Sequence, residues 1–254
     1  MKNIKFNSLI FAVVVVALAA CQSAQPTQEP SEGQTQATGA APSPQPPSVQ
    51  ASGDLCANPY IPAVEGATWS YTFHTDQGDN TQVDTVTDVG SDAFLVETTR
   101  SDGFNYVITW TCTPDGLLWL QTDGGMFSAV FQGGGLSESW ETVSYSGVSI
   151  PKAGQAGDTW SSDQQISVTD STGTRDFDIA MNFQAVGMET VTVPAGTFNA
   201  MRVDLTMAWT SGGEGLDMTY LITDWFVENV GLVKTSAEAD FGSYSLELVS
   251  YSIP

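Results

Sequence analysis

An all-β fold, an antiparallel curled sheet or half-barrel behind a disordered N-terminal tether, is predicted by three features of the chain. Apolar and polar side chains alternate with a period of two, turn residues punctuate the alternating segments, and nothing after residue 55 forms a convincing amphipathic helix. The first strand is "TWSYTFHT", with Trp69, Tyr71 and Phe73 on one face and His74 on the other. In "FNYVITWTC", Phe104, Tyr106, Ile108, Trp110 and Cys112 share a face opposite Asn105, Thr109 and Thr111. "RDFDIAMNFQA" turns Phe177, Ile179, Met181 and Phe183 inward and Asp176, Asp178, Asn182 and Gln184 outward, and "MRVDLTMAW" aligns Met201, Val203, Leu205, Met207 and Trp209. Between them lie "DQGDN", "RSDG", "TPDG", "DSTG", "PAG" and "SGGEG", whose Asp, Asn, Gly and Pro favour tight turns.

The front of the chain is an address. Lys2 and Lys5 precede "LIFAVVVVALAA", an apolar run of secretory length that is too short to span a bilayer permanently. Leu18-Ala19-Ala20-Cys21 resembles the bacterial lipobox. That resemblance implies a signal peptide over residues 1–20, a diacylglycerol on the Cys21 thiol and an anchor at the extracytoplasmic face of the cell envelope. The competing reading is an ordinary signal peptide with an incidental cysteine. Residues 22–54 hold no aromatic residue, no Lys or Arg, and half of the chain's 12 prolines, so they bury too little surface to offset ordering entropy. As a flexible coil this tether reaches roughly 30 Å. The folded part is then residues 55–254.

The chain carries 7 basic and 29 acidic residues; losing Lys2 and Lys5 with the signal peptide leaves 5 − 29 = −24. Such a field repels nucleic acid and anionic lipid, and it serves solubility or a basic partner. With Cys21 acylated, Cys56 and Cys112 form an even set in an oxidising compartment, where a disulfide between them is expected. It would close a loop of about 57 residues, stabilising by on the order of 4 kcal/mol in the loop-entropy model.

Two pieces recur in order. Ile61-Pro62 precedes Gly66-Ala67-Thr68-Trp69, and Ile150-Pro151 precedes Gly157-Asp158-Thr159-Trp160. Trp110 is followed by Gly116-Leu117, and Trp225 by Gly231-Leu232, at the same spacing. This pattern reads as a degenerate duplication over 61–122 and 150–238, with chance matching of Gly and Trp as the competitor.

The second unit contains "VTVPAGTFNAMRV" and "DWFVENVGLVK". Pro194, Ala195, Gly196, Thr197 and Phe198, then Trp225, Phe226, Val230, Gly231, Leu232, Val233 and Lys234, resemble a pattern of uncharacterised bacterial envelope proteins and lipoproteins. Some of these are similar to the curled sheets of the periplasmic lipoprotein carriers and their outer-membrane receptors. The resemblance implies a β half-barrel and brings no activity with it. The first unit lacks the Pro-Ala-Gly-Thr-Phe turn.

No catalytic, metal or cofactor site is expected. His74 is the single histidine and lies on a solvent-facing parity, no Gly-x-Ser-x-Gly elbow occurs, and no His/Cys cluster has zinc spacing. The Asp-rich turns lack EF-hand spacing. The leading function is therefore non-enzymatic: a binding module for an apolar ligand, or an envelope scaffold with a protein partner. The alternative is a hydrolase acting on an envelope or extracellular polymer. Met181, Met201, Met207 and Trp209 are the candidate ligand lining, because methionine repacks around guests of different shape; the plainer reading makes them ordinary core. A ligand site needs a solvent-connected cavity of roughly 300 Å³ or more. A clustered, buried pair of acids with a cleft would favour the hydrolase, and a Met- and aromatic-lined concavity without ionisable groups would favour binding.

Overall fold

The computed structural model describes residues 55–120, 139–170, 173–211, 217–239 and 242–254. Cys21, the expected signal peptide and the expected tether lie outside the described residues. The alternating segments become β1 (Thr68–Thr75), β2 (Gly78–Val89), β3 (Ala93–Arg100), β4 (Asn105–Cys112), β5 (Gly116–Leu120), β6 (Ser139–Gly147), β7 (Ile150–Pro151), β8 (Thr159–Asp170), β9 (Gly173–Val193), β10 (Gly196–Ser211), β11 (Met218–Val227), β12 (Gly231–Ala239) and β13 (Gly242–Ser252). They form one antiparallel sheet in the order β6-β8-β9-β10-β11-β12-β13-β1-β2-β3-β4-β5-β7, and the described residues contain no helix.

The edge strands of this order, β6 and β7, are consecutive in the chain and separated only by Val148 and Ser149. The sheet therefore curls until its two ends meet at a corner. Ser149 stitches them: its N–H donates to the Leu117 carbonyl at 2.8 Å, its Oγ accepts from the Trp119 N–H at 3.0 Å, and its carbonyl accepts from Trp160 Nε1 at 3.0 Å. Gln164 Nε2 of β8 also reaches the Trp119 carbonyl of β5, at 2.6 Å. Two glycines make the approach feasible. A Cβ on Gly116 would lie 2.2 Å from the Ile150 carbonyl oxygen, and one on Gly147 would lie 2.1 Å from that of Ser161; both have positive φ, at 152° and 76°.

Curling puts one face of the sheet inside. Trp69, Tyr71 and Phe73 of β1, the Phe177–Ala185 set of β9 and the Met201–Trp209 set of β10 are all buried on that side, as their two-residue period requires. Bulges help the sheet bend. Thr87 is the extra residue where β2 shifts register against β3, and Val186 is the extra residue where β9 shifts against β10.

The two Thr-Trp segments enter their hairpins alike. Gly66 N–H donates to the Val86 carbonyl, Val86 N–H to Ala67, and Ala67 N–H to Val64; Gly157, Ala185, Asp158 and Gln155 repeat these bonds in the same order. The bulged residue directly follows Val86 in one case and Ala185 in the other.

Residues 55–67 cross one end of the curl. A disulfide ties Cys56 to Cys112 at the end of β4, with the Cα atoms 4.9 Å apart. Asn58 Nδ2 donates to the Pro151 carbonyl at 3.1 Å, and the Asn229 N–H donates to that of Pro59 at 2.7 Å. The crossing segment is thus pinned to β4, to the corner after β7 and to the β11–β12 turn.

Candidate functional site: an apolar cavity with two carboxylates

Inside the curl lies a cavity of about 210 Å³, partly open to solvent. It is smaller than the roughly 300 Å³ of an ordinary small-molecule site but far larger than a water-sized void. Trp69, Trp110, Trp119, Phe94, Phe183 and Phe226 supply aromatic wall, Leu205, Ile222 and Leu246 supply aliphatic wall, and Ile61 and Pro62 of the crossing segment border it. The β5–β7 end of the sheet contributes too, since Trp119, Ser149 and Ile150 of the corner also line it.

Asp84 and Asp224 are set into this wall. Each occupies an inward position of its strand: Asp84 alternates with Gln82 and Val86 on β2, and Asp224 with Ile222 and Phe226 on β11. Each is met by a buried threonine on the next strand. Thr98 Oγ1 donates to Asp84 Oδ1 at 2.7 Å, and Thr235 Oγ1 donates to Asp224 Oδ1 at 2.7 Å. Gln82 Nε2 adds bonds of 3.1 and 3.4 Å to the two oxygens of Asp84. Protein rings both carboxylates, and this burial pushes each up to about 6, against the opposing pull of the hydroxyl and amide donors. Tyr71 lies within the field of both: burial, then the charges of Asp84 and Asp224, hold its phenol well above the usual range while its hydroxyl donates to the Leu232 carbonyl at 3.0 Å.

Among the described residues, no Lys, Arg or His lines the cavity. Arg100 stacks on Phe73 and pairs with Asp102, Arg202 pairs with Asp204 and Glu189, and Lys234 pairs with Glu247. His74 sits at the exposed end of β1, its Nδ1 2.8 Å from Asp79 Oδ1.

The methionine set falls elsewhere. Met181, Met207 and Trp209 are buried in close packing near β6: Trp209 Nε1 points at Met207 Sδ at 3.1 Å, and its ring meets Trp140 edge-on at 6.3 Å and Phe177 at 6.0 Å. Met201 borders a void of about 20 Å³. None of the four lines the 210 Å³ cavity. The inward parity expected of them is observed, but the gap between the sheet's walls opens nearer β1, β2 and β11. Trp225 of the envelope-protein pattern lies on the other face of β11, where Nε1 donates to Glu189 Oε2 at 2.9 Å.

Residues 139–242 match the model of a family described as DUF3108-like. Among solved structures, a protein of Parabacteroides distasonis named a lipoprotein is similar at 18% identity and a TM-score of 0.51, over 78% of this chain and 99% of that one. An exported protein with a YmcC-like fold from Bacteroides fragilis is similar at 15% identity and a TM-score of 0.46, over 77% and 98%. The hypothetical lipoprotein YmcC of Escherichia coli gives 10% and 0.36, over 76% and 87%. The Parabacteroides structure shares the curled-sheet fold. No curated protein matches.

Proposed function

We propose that this chain is a lipid-anchored extracytoplasmic binding protein that takes an apolar ligand into the cavity of its curled sheet. The cavity carries the reading: a solvent-connected space with predominantly aromatic and aliphatic walls is costly to leave wetted, and a guest would release that water. The lipobox-like Leu18-Ala19-Ala20-Cys21 supports attachment through Cys21. A Cys56–Cys112 disulfide suits an oxidising compartment, and the similar Parabacteroides protein is named a lipoprotein. The test is titration of the purified chain with N-phenyl-1-naphthylamine, a neutral apolar fluorophore. Saturable enhancement at about one site per chain supports the reading, and non-saturable enhancement overturns it.

A second reading, hydrolysis of a polymer, draws on Asp84 and Asp224 sharing one cavity. Their raised carboxyls are of the kind that serve as general acids. The walls argue for binding, because polymers of the envelope and extracellular matrix are polar and would need many more hydrogen-bond partners than these side chains provide. Turnover of glycan or ester substrates that is lost in both Asp84→Asn and Asp224→Asn would favour hydrolysis.

A further inference from the structure

The two acids give the cavity a chemical polarity that an apolar container does not need. Burying an ionisable carboxyl costs free energy unless something pairs with it, and among the described residues no basic side chain lines this wall. The five described cations are Arg100, Lys152, Arg175, Arg202 and Lys234, and none borders the cavity. Among the described residues, none supplies a positive charge to this wall.

The two acids are not equivalent. Both oxygens of Asp84 already accept bonds, from Thr98 and from Gln82. Among the described residues, the one side-chain partner of Asp224 is the Thr235 hydroxyl, on Oδ1. No described side chain bonds its Oδ2, and Asp224 shares the cavity lining with Ile222, Phe226, Leu246 and Tyr244. An ammonium group has three donors and no acceptor, so it matches a carboxylate oxygen of this kind, and the aromatic faces around it add cation–π attraction. The acidity of the whole chain, −22, concentrates cations near its surface and disfavours anionic guests.

We propose that the cavity selects an amphiphile with a cationic amino head, seated on Asp224 with Asp84 adding to the field, and an apolar chain lying against the aromatic wall. This rests on the binding function proposed above and specifies the class of ligand. A fatty acid, by contrast, would bring a third carboxylate into a cavity with no cation among its described lining residues.

The test uses three probes of one chain length, octylamine, octanol and octanoate, titrated calorimetrically into the purified chain at pH 7.5 and low salt, below their aggregation concentrations. The amine should bind at least about tenfold tighter than the alcohol, with the carboxylate weakest, as expected for a desolvated charge-assisted bond. Asp224→Asn should bring the amine to the affinity of the alcohol, and Asp84→Asn should narrow the gap only in part. Equal binding of amine and alcohol, or tighter binding of octanoate, overturns the inference while leaving the apolar site standing. Failure of all three probes overturns the apolar site itself. The ranking of probes in the unmodified protein decides the matter even if Asp224→Asn does not fold.

Discussion

Thr235 and Asp224 face each other across β12 and β11, hydroxyl to carboxylate at 2.7 Å, at inward positions that β-strand alternation ordinarily gives to apolar side chains. Thr98 and Asp84 make the same pair on β3 and β2, also at 2.7 Å. The interior of the sheet is thus apolar packing with two supported carboxyls, and the stability and pH response expected of the fold turn on them.

Stability should rise as pH falls from about 7.5 to 4.5. The carboxyls of Asp84 and Asp224 sit at about 6 in the folded chain against an ordinary 3.8, so between these values the folded state holds more protons than the unfolded one. Asp84→Asn should therefore stabilise by about 1–2 kcal/mol at pH 7.5, with the gain disappearing by pH 4.5. Urea midpoints at the two pH values check this, and a pH-independent effect of the substitution would contradict it.

Thr235→Val keeps the shape of the threonine and removes the donor to Asp224. The expected cost is about 1.5–3 kcal/mol at pH 7.5, where the bond is to an ionised group, and smaller at pH 4.5, where it is neutral. Denaturant titrations of the variant at both pH values measure the difference.

Gly116→Ala should break the corner where the sheet ends meet. Its Cβ would meet the Ile150 carbonyl oxygen at 2.2 Å on a backbone with φ of 152°, so either β5 or β7 must move. A loss above about 2 kcal/mol is expected, together with weaker uptake of apolar probe because Trp119, Ser149 and Ile150 line the cavity. Gly103→Ala is the control: its φ is also positive but nothing lies within 4 Å of the added Cβ.

The sequence foretold the strands well because a two-residue period is a local property: Trp69, Tyr71 and Phe73, or Phe177, Ile179, Met181 and Phe183, declare their face without reference to the rest of the chain. Where a cavity opens is not local. It depends on how tightly the sheet curls, which the bulges after Val86 and Ala185 and the corner at Ser149 decide together, so Met181, Met207 and Trp209 could share the inward face and still be packed solid. The acids did leave a signal. Asp224 interrupts the inward series Tyr220, Ile222, Phe226, and Asp84 stands two residues before the inward Val86. A polar residue at an inward position marks a supported polar site or a ligand, and each acid had an inward threonine in the following strand. The turns at Gly66 and Gly157 make the same set of backbone bonds.

Cys21→Ala should release the protein from membranes, since the anchoring proposal gives the tethered chain no other means of attachment. Fractionation after a high-salt wash measures this, and retention of the variant in the membrane pellet would contradict the anchor.

The occupancy of the cavity is tested most directly by quenching of Trp69, Trp110 and Trp119, which line it, with 8-bromooctan-1-ol. Bromine quenches tryptophan only near contact. A guest held in the cavity should give quenching that saturates at about one probe per chain and is relieved by competing octanol. Quenching that rises linearly with probe, matching that of the chain unfolded in urea, would contradict a binding site in the curled sheet.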